Sequence, residues 1–215
     1  MDELSHVIQT ISMTMGAAWA SGINLYATIL MLGILGMTGN LALPPGLEIL
    51  ANPAVIIAAG IMYAVEFFAD KIPAVDTAWD SIHTFIRIPA GALLAANAIG
   101  DVSPPMMLAA AIIGGGIAAE SHAAKAGSRV LINTSPEPFT NWAASIGEDV
   151  AVVAGLWAAL NHPWVFIIFL VIFTLFVIWL LPKIWRGIKK VFGAIARLLG
   201  GGKSEVSNNQ GAGSP

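Results

Sequence analysis

Residues 163–181 read PWVFIIFLVIFTLFVIWLL, an apolar run without one charged side chain. Crossing a hydrocarbon layer of about 30 Å takes roughly 20 mostly apolar helical residues, because a helix rises about 1.5 Å per residue and satisfies its backbone internally. The run therefore predicts a membrane-spanning helix. The rest of the chain agrees: 57% of its 215 residues are hydrophobic, 11% are charged, and mean hydropathy is +0.78. That composition belongs to the membrane class, not to soluble domains.

Other classes are excluded by what is missing. With no cysteine, disulfides and thiolate metal sites are ruled out. A net charge of -3 points to no nucleic-acid partner, and no motif calls for a cofactor. The opening MDELSHVIQT carries Asp2 and Glu3 where a signal peptide needs positive charge, so no cleaved leader is expected.

Working back from 163–181, six stretches qualify as spans: about 7 to 38, 53 to 70, 75 to 99, 105 to 130, 139 to 160 and 163 to 181. LPPGLEILANP, GDVSPP, NTSPEP and NHPW separate them with the residues that stop and restart helices. The fold class expected is all-α, a polytopic membrane helix bundle of about six spans over residues 1–181. The Lys and Arg residues, ten in all, set its orientation. All except Arg87 fall on or beside one side, the side of the second and fourth loops, which the positive-inside rule makes cytoplasmic. Both termini are expected there, in a bacterial cytoplasmic (inner) membrane. After Pro182, KIWRGIKKVFGAIARLL alternates apolar and basic residues at helical spacing, which predicts a basic amphipathic interfacial helix over 182–199. Residues 200–215 read as a flexible tail.

Two charged stretches repeat each other. AVEFFADK (64–71) and AAESHAAK (118–125) align at an offset of 54, pairing Glu66 with Glu120 and Lys71 with Lys125. Downstream, Thr77, Trp79, Gly91 and Asn97 align with Thr140, Trp142, Gly155 and Asn161. Residues 53–99 and 105–161 thus read as two copies of one helical hairpin. Transporter folds are often built from such repeats, with the working site between the copies.

The hairpins hold an unusual set of ionisable residues. Asp76, Asp80, His83 and Arg87 stand at i, i+4, i+7 and i+11, on one narrow helix face; Asn141, Ser145 and Glu148 form a similar stripe later. A charge at bilayer depth costs at least about 2.5–3.5 kcal/mol, so such residues face a bundle interior or an aqueous cavity and pair there. Seven carboxylates (Glu66, Asp70, Asp76, Asp80, Glu120, Glu148, Asp149) stand against four permanent cations (Lys71, Arg87, Lys125, Arg129), leaving three negative charges. Either some carboxyls carry protons or a cation is admitted. His83 and His122 suit a proton relay. Glu66, Asp70, Lys71, Lys125 and Arg129 lie near predicted turns, where solvated ion pairs would explain them. Asp80, His83, Arg87, Glu120 and Glu148 lie deeper and are the stronger site candidates. GAAWASGINLYAT places Ser21, Gly22 and Asn24 in apolar surroundings, which predicts a helix break, and Pro89 predicts a kink above Arg87.

ASGINLYATILMLGILG, LPPGLEILANP and above all EFFADKIPAVDTAWDSIHTFIRIPAGALL resemble a bacterial membrane family catalogued as domain of unknown function 4126, over most of residues 16–161. The resemblance implies a multi-span membrane protein and assigns no activity. A weaker analogy links the charged stretches to calcium and manganese transporters with two Glu-x-Gly-Asp-Lys motifs. Here the spacing has one extra residue, glycine is absent, and Ala124 stands where an acid belongs, so no site carries over.

The leading expectation is a small transporter or channel for protons or a small cation, through a polar pathway between the hairpins. Its candidate residues are Glu66, Asp70, Asp76, Asp80, His83, Arg87, Glu120, His122, Lys125, Glu148 and Asp149. The rival is a non-transporting scaffold in which these groups specify helix packing and the basic helix recruits lipid or protein. An intramembrane enzyme comes third, since no motif combines a nucleophile with its base. The bilayer is the expected partner, and a second copy of the chain stays open as another.

Overall fold

The computed structural model describes residues 3–133 and 138–200. Among them there is no strand. The helices are α1 (Glu3–Ile23), α2 (Leu25–Met37), a 3-10 helix (Pro45–Ala51), α3 (Pro53–Ala69), α4 (Pro73–Ala98), α5 (Pro104–Ile132), α6 (Pro138–Asn161) and α7 (Pro163–Gly200). Each helix from α3 onward begins on proline, whose fixed φ and missing N–H suit the first helical position. This is why the proline-rich punctuation located the boundaries so well.

Three helices are long and apolar enough to cross a membrane: α5, the 139–161 part of α6 and the 163–187 part of α7. The 3-10 helix and α3 together make a fourth, bent by 68°. Two of the six expected spans therefore fall short. α4 has the length, at 26 residues, but carries Asp76, Asp80 and Arg87 within it.

The first segment, expected to cross as 7–38, doubles back. Asn24 leaves the helix at φ -145°, ψ 100°, and its side chain accepts from the backbone N–H of Ala27 to start α2. Leu41 N–H then donates to the Leu35 carbonyl (3.1 Å), turning the chain at the far end of α2. Leu41 to Pro44 share a cavity of about 520 Å³ with His6, Thr10 and Met13 of α1 and with Ala98 to Gly100. Both ends of the α1–α2 hairpin thus lie at one end of the bundle, here termed outer, with the α4–α5 and α6–α7 turns. Its apex, Asn24, reaches the bundle interior. α1 starts at the outer end, whereas α7 reaches the inner end by Ile184, beside Gly127, and Gly187, beside Leu131. A polar, cap-forming asparagine in an apolar helix gave the local reason: its side chain stabilises a new helix start better than it suits a helix interior.

Capping also gives the first expected result. Asn24→Ala removes the α2 cap and the contact of Asn24 Nδ2 with Asp149 Oδ1 (3.1 Å). It should cost about 0.5–2 kcal/mol of stability, read as a lower unfolding midpoint in denaturant titration of the purified protein.

α4 and α5 form the central pair and α1 packs across both. Gly22 of α1 lies against Ser121 and the Ala118 carbonyl, and Gly91 of α4 against Ala118 and Ser21. Such small residues let helix backbones approach closely. Ser121 Oγ donates to the Trp19 carbonyl (2.9 Å) and Ser12 Oγ to the Ala159 carbonyl (2.8 Å), tying α1 to α5 and α6. An apolar cluster including Met13, Ala17, Leu32, Leu47, Leu94 and Leu156 fills the outer half. α7 runs along the outside, with 11% of its apolar window buried, and leaves its remaining surface for lipid. Residues 182–199 continue α7 through Pro182 without a break in the helix.

Candidate functional site

The inner half of the bundle holds a buried ionic network assembled from four helices. α3 supplies Glu66 and, at its C-cap, Asp70; α4 supplies Asp76, Asp80 and Arg87; α5 supplies His122, Lys125 and Arg129; α6 supplies Asn141 and Glu148. Helical periodicity is what aligns them, since each set recurs every three or four residues on the face turned to the others.

Three cations organise the carboxylates. Arg87, wholly buried, pairs with Glu66, with Asp80 Oδ1 at 3.1 Å, and with His122 Nδ1 at 3.2 Å. Lys125 Nζ sits among Glu66 (3.2 Å), Asp70 (3.3 Å), Glu148 (3.5 Å) and Asp80 (3.7 Å). Arg129 grips Glu148 with both carboxylate oxygens engaged, at 2.8 and 2.9 Å, and reaches Asn141, Asp70 (3.6 Å) and Asp76 (4.0 Å). That bidentate fork is the geometry for which guanidinium is suited and an ammonium is not.

The histidines are oriented by their neighbours. A guanidinium only donates, so His122 Nδ1 accepts from Arg87, and its Nε2 carries the proton toward Thr84 Oγ1 (2.7 Å). Thr84 donates in turn to the Asp80 carbonyl (2.9 Å). His83 stacks on Trp79, donates through Nδ1 to the Trp79 carbonyl (2.9 Å), and meets the Tyr26 hydroxyl at Nε2 (3.1 Å). The re-entrant hairpin therefore touches the polar interior twice, at Tyr26–His83 and at Asn24–Asp149. Tyr63 also hydrogen-bonds Asp149.

Charge does not balance inside the network. Five carboxylates (Glu66, Asp70, Asp76, Asp80, Glu148) face three permanent cations (Arg87, Lys125, Arg129), an excess of two negative charges. Oxygens of four of those acids, Glu66 Oε2, Asp70 Oδ1, Asp76 Oδ1 and Asp80 Oδ2, are buried without a hydrogen-bond partner among the described residues. Beside Asp80 lies a cavity of about 80 Å³ lined also by Thr77, Ser81, Thr84 and Arg129, large enough for water. Among the described residues, no group of three or more His, Asp or Glu has metal-binding geometry.

The sequence candidates divide accordingly. Glu66, Asp70, Asp76, Asp80, Arg87, His122, Lys125 and Glu148 come together in one network. His83 and Asp149 lie at its margin under the hairpin. Glu120 lies apart, meeting Thr174 of α7 (3.1 Å). Solvated ion pairs do not describe Glu66, Asp70, Lys125 and Arg129, which are all buried. Lys71 does stand at a turn, its ammonium over the Phe67 ring and hydrogen-bonded to the Phe67 carbonyl (2.9 Å). Arg129, which is not among the sequence candidates, proves one of the network's centres, and Tyr26 was missed altogether. The signal for Arg129 was its spacing of four from Lys125.

The aligned acids of the two hairpins do not behave alike, because Glu66 is enclosed by cations and Glu120 is not. The two helices of each hairpin are splayed, with α4 and α5, one from each hairpin, in the close central contact.

Residues 11–183 match the family described as domain of unknown function (DUF4126). The chain belongs to the DUF4126 family. The match covers the whole network and ends just after Pro182, so the ionic cluster and the α1–α2 hairpin from residue 11 onward lie inside the DUF4126 region. No curated protein and no solved structure matches the chain.

Proposed function

We propose that this DUF4126 protein is a membrane transporter or channel that passes protons through the ionic network, the α1–α2 hairpin closing the outer side. The carrying observation is the excess of two negative charges in a network whose orphaned carboxylate oxygens have no hydrogen-bond partner among the described residues. A buried charge without compensation is costly, and a proton is the smallest species that both cancels the charge and satisfies an oxygen. Protons are preferred to a metal ion because the carboxylates are spread along the cations and do not converge on one point. Glu66, Asp80 and Glu148 would exchange the proton, with Arg87 and Arg129 holding them in register. His83 and Tyr26 would pass it toward Asn24 and Asp149 when the hairpin moves. The network faces the side rich in Lys and Arg, which the positive-inside rule makes cytoplasmic.

A pH-sensitive dye trapped in proteoliposomes tests this. The native protein should dissipate an imposed pH gradient, and Asp80→Asn or Glu148→Gln should lose most of that flux while remaining folded. Flux equal to the native rate in both folded variants overturns the reading. The multiply paired cations and the apolar outer half favour one rival, a scaffold whose closed network fixes helix packing. It predicts no flux from the native protein and a lower unfolding midpoint in both variants.

A further inference from the structure

We propose that Glu120 is a proton-holding carboxyl in the seam between α5 and α7, separate from the ionic network and open from the lipid phase to hydrophobic carboxyl reagents. Glu120 lies near the middle of α5, and no Lys or Arg precedes Lys125 on that helix. Thr174 is the one hydroxyl between Pro163 and Leu181 of α7, and it donates to Glu120 Oε2 at 3.1 Å. The pairing is specific, since the only acid in that part of α5 meets the only hydroxyl of the facing span. Oε1 is buried and has no hydrogen-bond partner among the described residues.

The contrast with the network is one of company and access. His122, Lys125 and Arg129 of α5 face α4 and α6. Among the described residues, no cation reaches Glu120: Arg87 of α4 is engaged by Glu66 and Asp80, and Arg129 by Glu148 of α6. α7 carries no titratable group before Lys183, and Glu3 and His6 of α1 lie toward the outer end. A carboxylate ionised here would stand alone in apolar surroundings, so the neutral acid is the stable form. The residue is also partly exposed, whereas Glu66, Asp70, Asp76 and Asp80 are buried, and Gly116, one turn before it, has open space at its side.

A neutral acid in a water-poor seam is the substrate of a hydrophobic carbodiimide. The carboxyl oxygen bonds to the central carbon of the reagent and the acid proton moves to one of its nitrogens, giving an O-acylisourea. Without water to hydrolyse it, the acyl group migrates to nitrogen as a stable N-acylurea. Nothing leaves and no electrons are exchanged.

The test is to treat the full chain in lipid nanodiscs with dicyclohexylcarbodiimide and map adducts by peptide mass spectrometry. One adduct of the intact reagent is expected at Glu120, several-fold more abundant at mildly acidic than at alkaline pH, and absent from Glu120→Gln. A charged, water-soluble carbodiimide should leave Glu120 unlabelled. Thr174→Val, which removes the donor that favours the ionised form, should raise labelling. Adducts confined to the network acids, no adduct at all, or equal labelling by the charged reagent each overturn the assignment. Proton flux is not its readout, so it stands or falls apart from the proposed function and rests only on the bundle lying in lipid.

Discussion

Arg87→Ala is expected to destabilise the bundle by about 3–5 kcal/mol, the cost typical of breaking a buried ion pair from one side. Arg87 is 0% exposed and holds Glu66, Asp80 and His122 together. Its removal raises the excess of carboxylates over cations from two to three, and leaves Lys125 as the nearest cation to both acids. Arg87→Lys should recover little, because one ammonium cannot reproduce the planar fork that spans two carboxylates and an imidazole. Arg87→Met combined with Glu66→Gln returns the excess to two, four acids against two cations, and should regain part of the loss. Unfolding midpoints of the three variants in detergent decide it. A native-like Arg87→Ala, or a double variant no better than the single one, would show that the network is not held by charge pairing.

Gly22→Leu should be nearly as damaging, by up to about 3 kcal/mol, and for a steric reason. A Cβ at Gly22 would collide with Ser121 Oγ and with the backbone carbonyl of Ala118, neither of which is the yielding tip of a long side chain. Relief requires α1 to move off α5, which breaks the Ser121 to Trp19 hydrogen bond and shifts the hairpin apex at Asn24. Gly116→Ala on α5 is the matched control. Nothing lies within 4 Å of a Cβ there, and exchanging glycine for alanine inside a helix gains up to about 1 kcal/mol. Equal destabilisation by the two substitutions would refute the close-approach account.

These two sites also show how far the sequence could be read. Arg87 was legible as buried because a charge at bilayer depth needs an internal partner, and its stripe with Asp76, Asp80 and His83 is a local property of one helix. Gly22 was legible only as part of a break. That the break reverses the chain depends on where α2 finds its packing, against α3 and the 3-10 helix, and no local pattern carries that. For Lys125 and Arg129, position near a predicted turn fits a solvated ion pair as well as a buried one. They are buried because α3, α4 and α6 close over the end of α5, a long-range fact.

The sequence by itself determined the helical class, the proline-marked boundaries, the concentration of cations toward one side and the presence of more acids than bases within apolar helices. Each follows from composition or from a periodicity of a few residues, which local backbone geometry reads directly. Only the tertiary structure decided that the first segment re-enters, that Glu66 joins the network while its aligned partner Glu120 does not, and that Arg129 stands at the network's centre. Those outcomes turn on which helix faces meet, and a helix face is given its neighbours by the packing of the whole bundle.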